Sequence, residues 1–286
     1  VTGLDRVPPG VDPNVPSSAR VYDYLLGGKD NLTIDRAIAE RLLSVAPDTR
    51  LVARANRDFL VRTVRFMAER GVRQFIDLGT GIPTSPSVHE VAHEFDPSAT
   101  VVYVDYDPVV HLHTEVLLAR DKNVVSIQAD VRRPGTILDD PQVAGLVDFS
   151  QPVGVLMVGV LHFVTDAEDP AGVIAAFRER MAAGSHLTLS HAMAESSPEA
   201  MAQLTAATAN SPAQSTFRSH DQVLALLDGF ELLEPGLVPV HDWRNSDGFA
   251  LFPDAERPKL RIDGVLARLS RYGPPEGPGG SSRRSR

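Results

Sequence analysis

Phe75-Ile76-Asp77-Leu78-Gly79-Thr80-Gly81-Ile82-Pro83-Thr84 is the stretch that decides the fold. Phe75, Ile76 and Leu78 read as the end of a buried strand, and the two glycines break it. Ser85 and Pro86 follow, and residues 88–92 read as a helix. Pro86 suits a first helical turn, where its missing N–H would have no partner, with Thr84 or Ser85 as the cap. Strand, glycine turn and helix in that order set bare backbone and a helix start against a nucleotide-like ligand. A dinucleotide fingerprint needs a third glycine, and Thr84 stands in its place. Asp77, two residues before the first glycine, would repel a pyrophosphate and attract a cation. The order D-x-G-x-G therefore favours S-adenosylmethionine, which carries an ammonium and a sulfonium and no phosphate, over NAD.

The bulk numbers narrow the class. A chain of 286 residues holds one large domain, or one with an appendage. A net charge of −9 argues against a general nucleic-acid binder. With no cysteine there is no disulfide, thiolate nucleophile or zinc–thiolate site. The most apolar run, residues 153–164, is too short to cross a bilayer and contains His162. The proline-rich opening does not resemble a signal peptide, so a cytoplasmic protein with no membrane partner is expected.

Working outward, residues 1–16 read as an extended lead-in. Residues 17–71 read as a helical cap of three helices, with a polar elbow at Gly27-Gly28-Lys29-Asp30-Asn31. Residues 72–272 read as an α/β domain, and 273–286 as a disordered tail. Strands are expected over 100–104, 124–129, 153–160, 186–190, 230–240 and 262–269, with a loop around Trp243 and Pro253 before the last. Strands alternating with helices give a doubly wound, mostly parallel sheet whose ligand sits at the carboxyl ends of the strands.

Those ends carry the polar residues. Asp105 closes the second strand, where an acid pairs with ribose hydroxyls, and Tyr106 follows it. Asp107 reads as the cap of the next helix. Asp130 follows the third strand, placed for an adenine amino group with Val131 beside it. Gly159 and His162 follow the fourth, where an acceptor should meet the methyl group; His162 is the candidate general base, against the plainer reading that it hydrogen-bonds a carbonyl. His111 and His113 sit two apart on a helix and point different ways, so no metal site is expected.

Asp77-Leu78-Gly79-Thr80-Gly81, Asp105 and Asp130 resemble the first three motifs of the class I S-adenosylmethionine-dependent methyltransferases. More narrowly, Arg20-Val21-Tyr22-Asp23-Tyr24-Leu25-Leu26-Gly27-Gly28-Lys29-Asp30-Asn31, Ala55-Asn56-Arg57-Asp58-Phe59-Leu60, Val160-Leu161-His162-Phe163 and Glu234-Pro235-Gly236-Leu237-Val238 resemble a bacterial methyltransferase family formerly catalogued as a domain of unknown function. The resemblance spans about residues 17–270 and implies a seven-stranded sheet whose last strand runs antiparallel. The class usually has a third glycine near Pro83, a residue with no N–H to offer. The amino-acid end of the cofactor is then expected to be held by the elbow, with Tyr22 and Gly28, or by Arg57. Together these readings give a methyltransferase using Asp77, Gly79, Thr80, Gly81, Asp105, Tyr106, Asp130, Val131 and Gly159 for the cofactor and acting on a small-molecule acceptor. The alternatives are a non-catalytic cofactor-binding module and, further off, an NAD-dependent oxidoreductase.

Overall fold

The core strands are apolar on both faces, as a sheet covered by helices on each side requires. The computed structural model describes residues 12–118, 121–209, 214–245 and 258–270. Residues 1–11 of the lead-in, the loop around Pro253 and the tail at 273–286 lie outside them. Eight strands form one sheet: β1 (Gln74–Leu78), β2 (Thr100–Asp105), β3 (Val124–Gln128), β4 (Gly154–Val158), β5 (His186–Ala192), β6 (Glu231–Leu232), β7 (Val238–Pro239) and β8 (Ile262–Arg268). Their order is β3-β2-β1-β4-β5-β8-β6, with β7 also on β8. β1 to β5 are mutually parallel where they pair, and β8 runs antiparallel to β5, β6 and β7.

The helices are α1 (Ser18–Leu26), α2 (Thr33–Val45), α3 (Thr49–Glu69), α4 (Val88–His93), α5 (Pro108–Leu118), α6 (Pro134–Leu138), α7 (Pro141–Leu146), α8 (Pro170–Arg180), α9 (Pro198–Thr208) and α10 (His220–Ala225). The period of two sorts the strand side chains. Ile76, Leu78, Val102, Val104, Val155 and Met157 join the core that holds Phe177 of α8 and Val223 of α10. Phe75, Val101, Tyr103 and Leu156 face the other way, onto Phe59, Val64 and Met67 of α3. By the same alternation Asp77 and Asp105 share the face that α3 covers. α3 is thus both the last helix of the cap and the layer that roofs the sheet. α1 packs on α2 and α3, and α2 reaches α9.

Two expectations need correction. Seven strands become eight, because the strand expected over 230–240 breaks at Glu234-Pro235-Gly236. Between Leu232↔Ala267 and Val238↔Gly264 five residues lie on one side and two on the other. Pro235 has no N–H for the ladder and Gly236 sits at φ 85°, so the chain loops out and re-enters. The helix after the glycine turn starts at Val88 as expected, but its cap is neither Thr84 nor Ser85. Pro86 is not in it; Ser87 is the cap, and its N–H donates to the Glu90 carboxylate at 2.6 Å.

Candidate active site

The turn after β1 is built by close packing and by left-handed backbone. Gly79 sits at φ 66°, and a Cβ there would lie 1.8 Å from Val160 Cγ2. The N–H groups of Gly79 and Thr80 both donate to the Val104 carbonyl, tying the turn to β2. Gly81 has the same φ, yet a Cβ there would meet nothing within 4 Å. Its N–H donates to Asp105 Oδ2 at 2.9 Å, and Asp107 N–H donates to Asp105 Oδ1 at the same distance. Asp107 in turn accepts from Val109 N–H, the cap expected of it.

Asp77 is buried, and among the described residues its carboxylate makes no hydrogen bond. Burial raises its pKa to about 7, with Arg57 pulling it down and Asp105 pushing it up. Burial likewise raises Asp105 to about 6, against the backbone N–H donors that favour its charged form. Arg57, on α3, donates through Nη2 to the carbonyls of Thr84 and Pro86, while its Nε is buried without a partner. It therefore pins the loop after the glycine turn and keeps spare donor capacity beside Asp77.

Sequence reasoning missed the network that holds α3 over the strand ends. Gly159 N–H donates to Ser190 Oγ at 2.9 Å, and Ser190 Oγ–H donates to Asn56 Oδ1 at 2.7 Å. Asn56 Nδ2 donates to the Tyr22 hydroxyl, which donates to the Ala53 carbonyl at 2.8 Å. Four elements meet there: the ends of β4 and β5, α3 and α1. The signal was available, because Asn56 lies on the apolar stripe of α3 with Val52, Ala55, Phe59 and Thr63, where a polar residue needs a buried partner. A second buried link joins the cap to β2. Arg20 Nε donates to Asp35 at 2.8 Å, and Arg20 Nη1 lies 3.8 Å from Asp107.

His162 is buried on a single helical turn, Leu161–Phe163, after β4. Burial, then the neighbouring His191 and Arg218, holds its pKa well below the ordinary histidine value, so the ring is neutral. Arg218 fastens this corner. It donates to the carbonyls of Leu161 and Val164, to Asp166 and to His191 Nε2, which leaves His191 Nδ1–H for the Ala192 carbonyl.

One cavity collects these groups. Asp77, Gly79, Thr80, Gly81, Asp105, Tyr106, Asp130, Val131, Gly159, Tyr22, Arg57 and His162 all line it. Gly28 does not. Its N–H donates to the Asp23 carbonyl, and a Cβ there would lie 1.9 Å from Asp23 Oδ1. Asp130 lines the cavity already engaged. Arg132 forks onto both its oxygens at 2.6–3.0 Å and also reaches Glu168 at 2.8 Å. Burial opposes the charge on Asp130, but the Arg132 bonds outweigh it and hold the pKa below the usual value.

The chain matches the S-adenosyl methyltransferase family over residues 5–269. The chain belongs to that family. Two crystal structures are similar throughout. A candidate methyltransferase of Thermobifida fusca YX is 38% identical, covers 93% of this chain and 100% of its own, and superposes with a TM-score of 0.86. A DUF574 family protein of Streptomyces avermitilis MA-4680 is 35% identical over 90% of this chain and 98% of its own, with a TM-score of 0.84. No curated protein matches the chain. The methyl donor of an S-adenosyl methyltransferase is S-adenosylmethionine, and the sheet order with one antiparallel strand is that of the class I fold. Among the described residues no helix is long and apolar enough to cross a membrane.

Proposed function

We propose that this methyltransferase holds S-adenosylmethionine along the carboxyl ends of β1, β2 and β3 and transfers its methyl group to a small-molecule acceptor beneath the helical cap. The observation that carries the reading is Asp77. A carboxylate buried at the end of β1 with no hydrogen bond is costly unless a ligand supplies the partner. A cation meets that need, and the donor's ammonium and sulfonium are cations. Gly81, open where a side chain would intrude, leaves the backbone free for close approach. Asp105 still has acceptor lone pairs beyond its two backbone bonds, enough for ribose hydroxyls. Arg57, with its unpartnered Nε, is the group suited to the donor's carboxylate in place of the N–H that Pro83 lacks. Asp130 is bound by Arg132, so at the adenine position the Val131 backbone does the recognising.

When bound, S-adenosylmethionine supplies a methyl carbon that an acceptor lone pair attacks while the C–S electron pair returns to sulfur. The residues of the chain orient the two molecules and keep water out. His162, neutral on the cavity wall, accepts a hydrogen bond from the acceptor and aims it; an imidazole with so low a pKa is a poor store for a proton. An acidic, cysteine-free chain accords with a cytoplasmic enzyme of small metabolites more than with a nucleic-acid modifier. Calorimetric titration with S-adenosylhomocysteine tests the reading. Wild type should bind it, Asp77→Asn should bind it far more weakly, and NADH should give no heat; equal binding by wild type and Asp77→Asn would dismiss the assignment.

A further inference from the structure

The cavity has two unlike halves. Its described charged side chains, Arg57, Asp77, Asp105, Asp130 and Arg132, stand at the strand ends or over them. The half beneath the cap is walled by Val21 and Leu25 of α1, Ile38 and Leu42 of α2, Leu204 of α9, and Leu260 before β8. Among the described residues, α1, α2, α9 and the 260–262 segment contribute no acid or base to the lining. Most polar side chains on this side are already occupied. Tyr22 O–H donates to the Ala53 carbonyl, Thr49 O–H to Ala46, and Thr208 O–H to Leu204, while Asn56 is shared between Ser190 and Tyr22. Ser17 Oγ has no partner but is itself fully buried.

We infer that the cap-side half binds an uncharged, largely apolar small molecule as the methyl acceptor, a reading that rests on the proposed function above and narrows its substrate class. A charged acceptor would have to leave its charge against hydrocarbon, with no charged partner on the cap side and only the neutral ring of His162 at the boundary. Turning the molecule round would put its charge at the strand ends, in the space the donor takes. An apolar molecule instead gains with each part of its surface that it buries on the leucine, isoleucine and valine wall. Ile38 and Leu204 are half-buried, so either can be changed without emptying a packed core.

The test uses two fluorescent probes with one skeleton: uncharged N-phenylnaphthylamine and anionic anilinonaphthalenesulfonate. Each is titrated into the full chain with and without saturating S-adenosylhomocysteine. The neutral probe should bind saturably in both states, and the sulfonate weaker by about tenfold or more. Ile38→Asp and Leu204→Asp should each weaken the neutral probe by about tenfold or more. Neither should change the affinity for S-adenosylhomocysteine, which also reports that the variants fold. Equal binding of the two probes, no saturable neutral binding, or binding indifferent to both substitutions overturns the inference. If the probes behave as expected while wild type ignores S-adenosylhomocysteine, the methyl-transfer reading fails and the apolar pocket stands.

Discussion

Two glycine turns in this chain look alike on paper and are built for opposite ends. Gly27-Gly28 follows α1 and Gly79-Thr80-Gly81 follows β1, each with an aspartate close before it. At the first, Asp23 is satisfied from within: Asp30 N–H donates to it at 3.0 Å and Asn31 Nδ2 at 2.7 Å. Gly28 is glycine because the Asp23 carboxylate occupies the space of a Cβ. At the second, Gly79 makes room for Val160, but Asp77 is left with no hydrogen bond and Gly81 with open space. The lesson is that a glycine turn beside an acid marks a ligand site only where the acid stays unsatisfied. Where the acid is paired, the turn is a clasp.

Substitutions sharpen that contrast. The largest effect belongs to Gly79→Ala, which forces a side chain onto Val160 at a left-handed φ and should cost about 3 kcal/mol or more in chemical unfolding. A stability loss below about 1 kcal/mol would mean the turn relaxes freely. Asp77→Asn should lower affinity for S-adenosylhomocysteine by about 10- to 100-fold, the worth of a charge-assisted hydrogen bond. It should leave the ligand-free protein no less stable, since the acid has nothing to lose there. Gly28→Ala should do the reverse, costing about 1–2 kcal/mol of stability while cofactor affinity holds; a large fall in affinity with unchanged stability would move the elbow into the site.

The smallest effect is a difference in pH dependence. Asp77 is raised to about 7 when folded, so the folded chain holds its proton between about pH 4 and 7 when the unfolded chain has released it. The stability tied to that proton is present below the unfolded pKa and is lost as pH rises through 7. His162, His186 and His191, all lowered by burial, act in the opposite sense, so the informative quantity is wild type minus Asp77→Asn. That difference should fall by on the order of 1 kcal/mol or more from pH 5 to pH 8 in the ligand-free protein. A flat difference would mean that Asp77 is already ionised and paired.

The elements of local pattern were legible. Three helices, α1, α2 and α3, occupy the stretch read as a helical cap, and β2 ends at the expected Asp105. What escaped was pairing between distant residues. That Arg132 reaches Glu168, that Asn56 meets Ser190, and that Arg218 fastens the corner after β4 joins positions too far apart in the chain for spacing to reveal. The break between β6 and β7 was closer to legible, since Pro235 and Gly236 announce it.

By itself the sequence determined the alternation of strand and helix, the glycine turn and the acids at the strand ends, because each depends on neighbours within a few residues. Only the tertiary structure decided which acids are spoken for. Whether a buried carboxylate is satisfied depends on where the folded backbone and side chains finally place their donors, and that difference separates the clasp at Asp23 from the candidate binding site at Asp77.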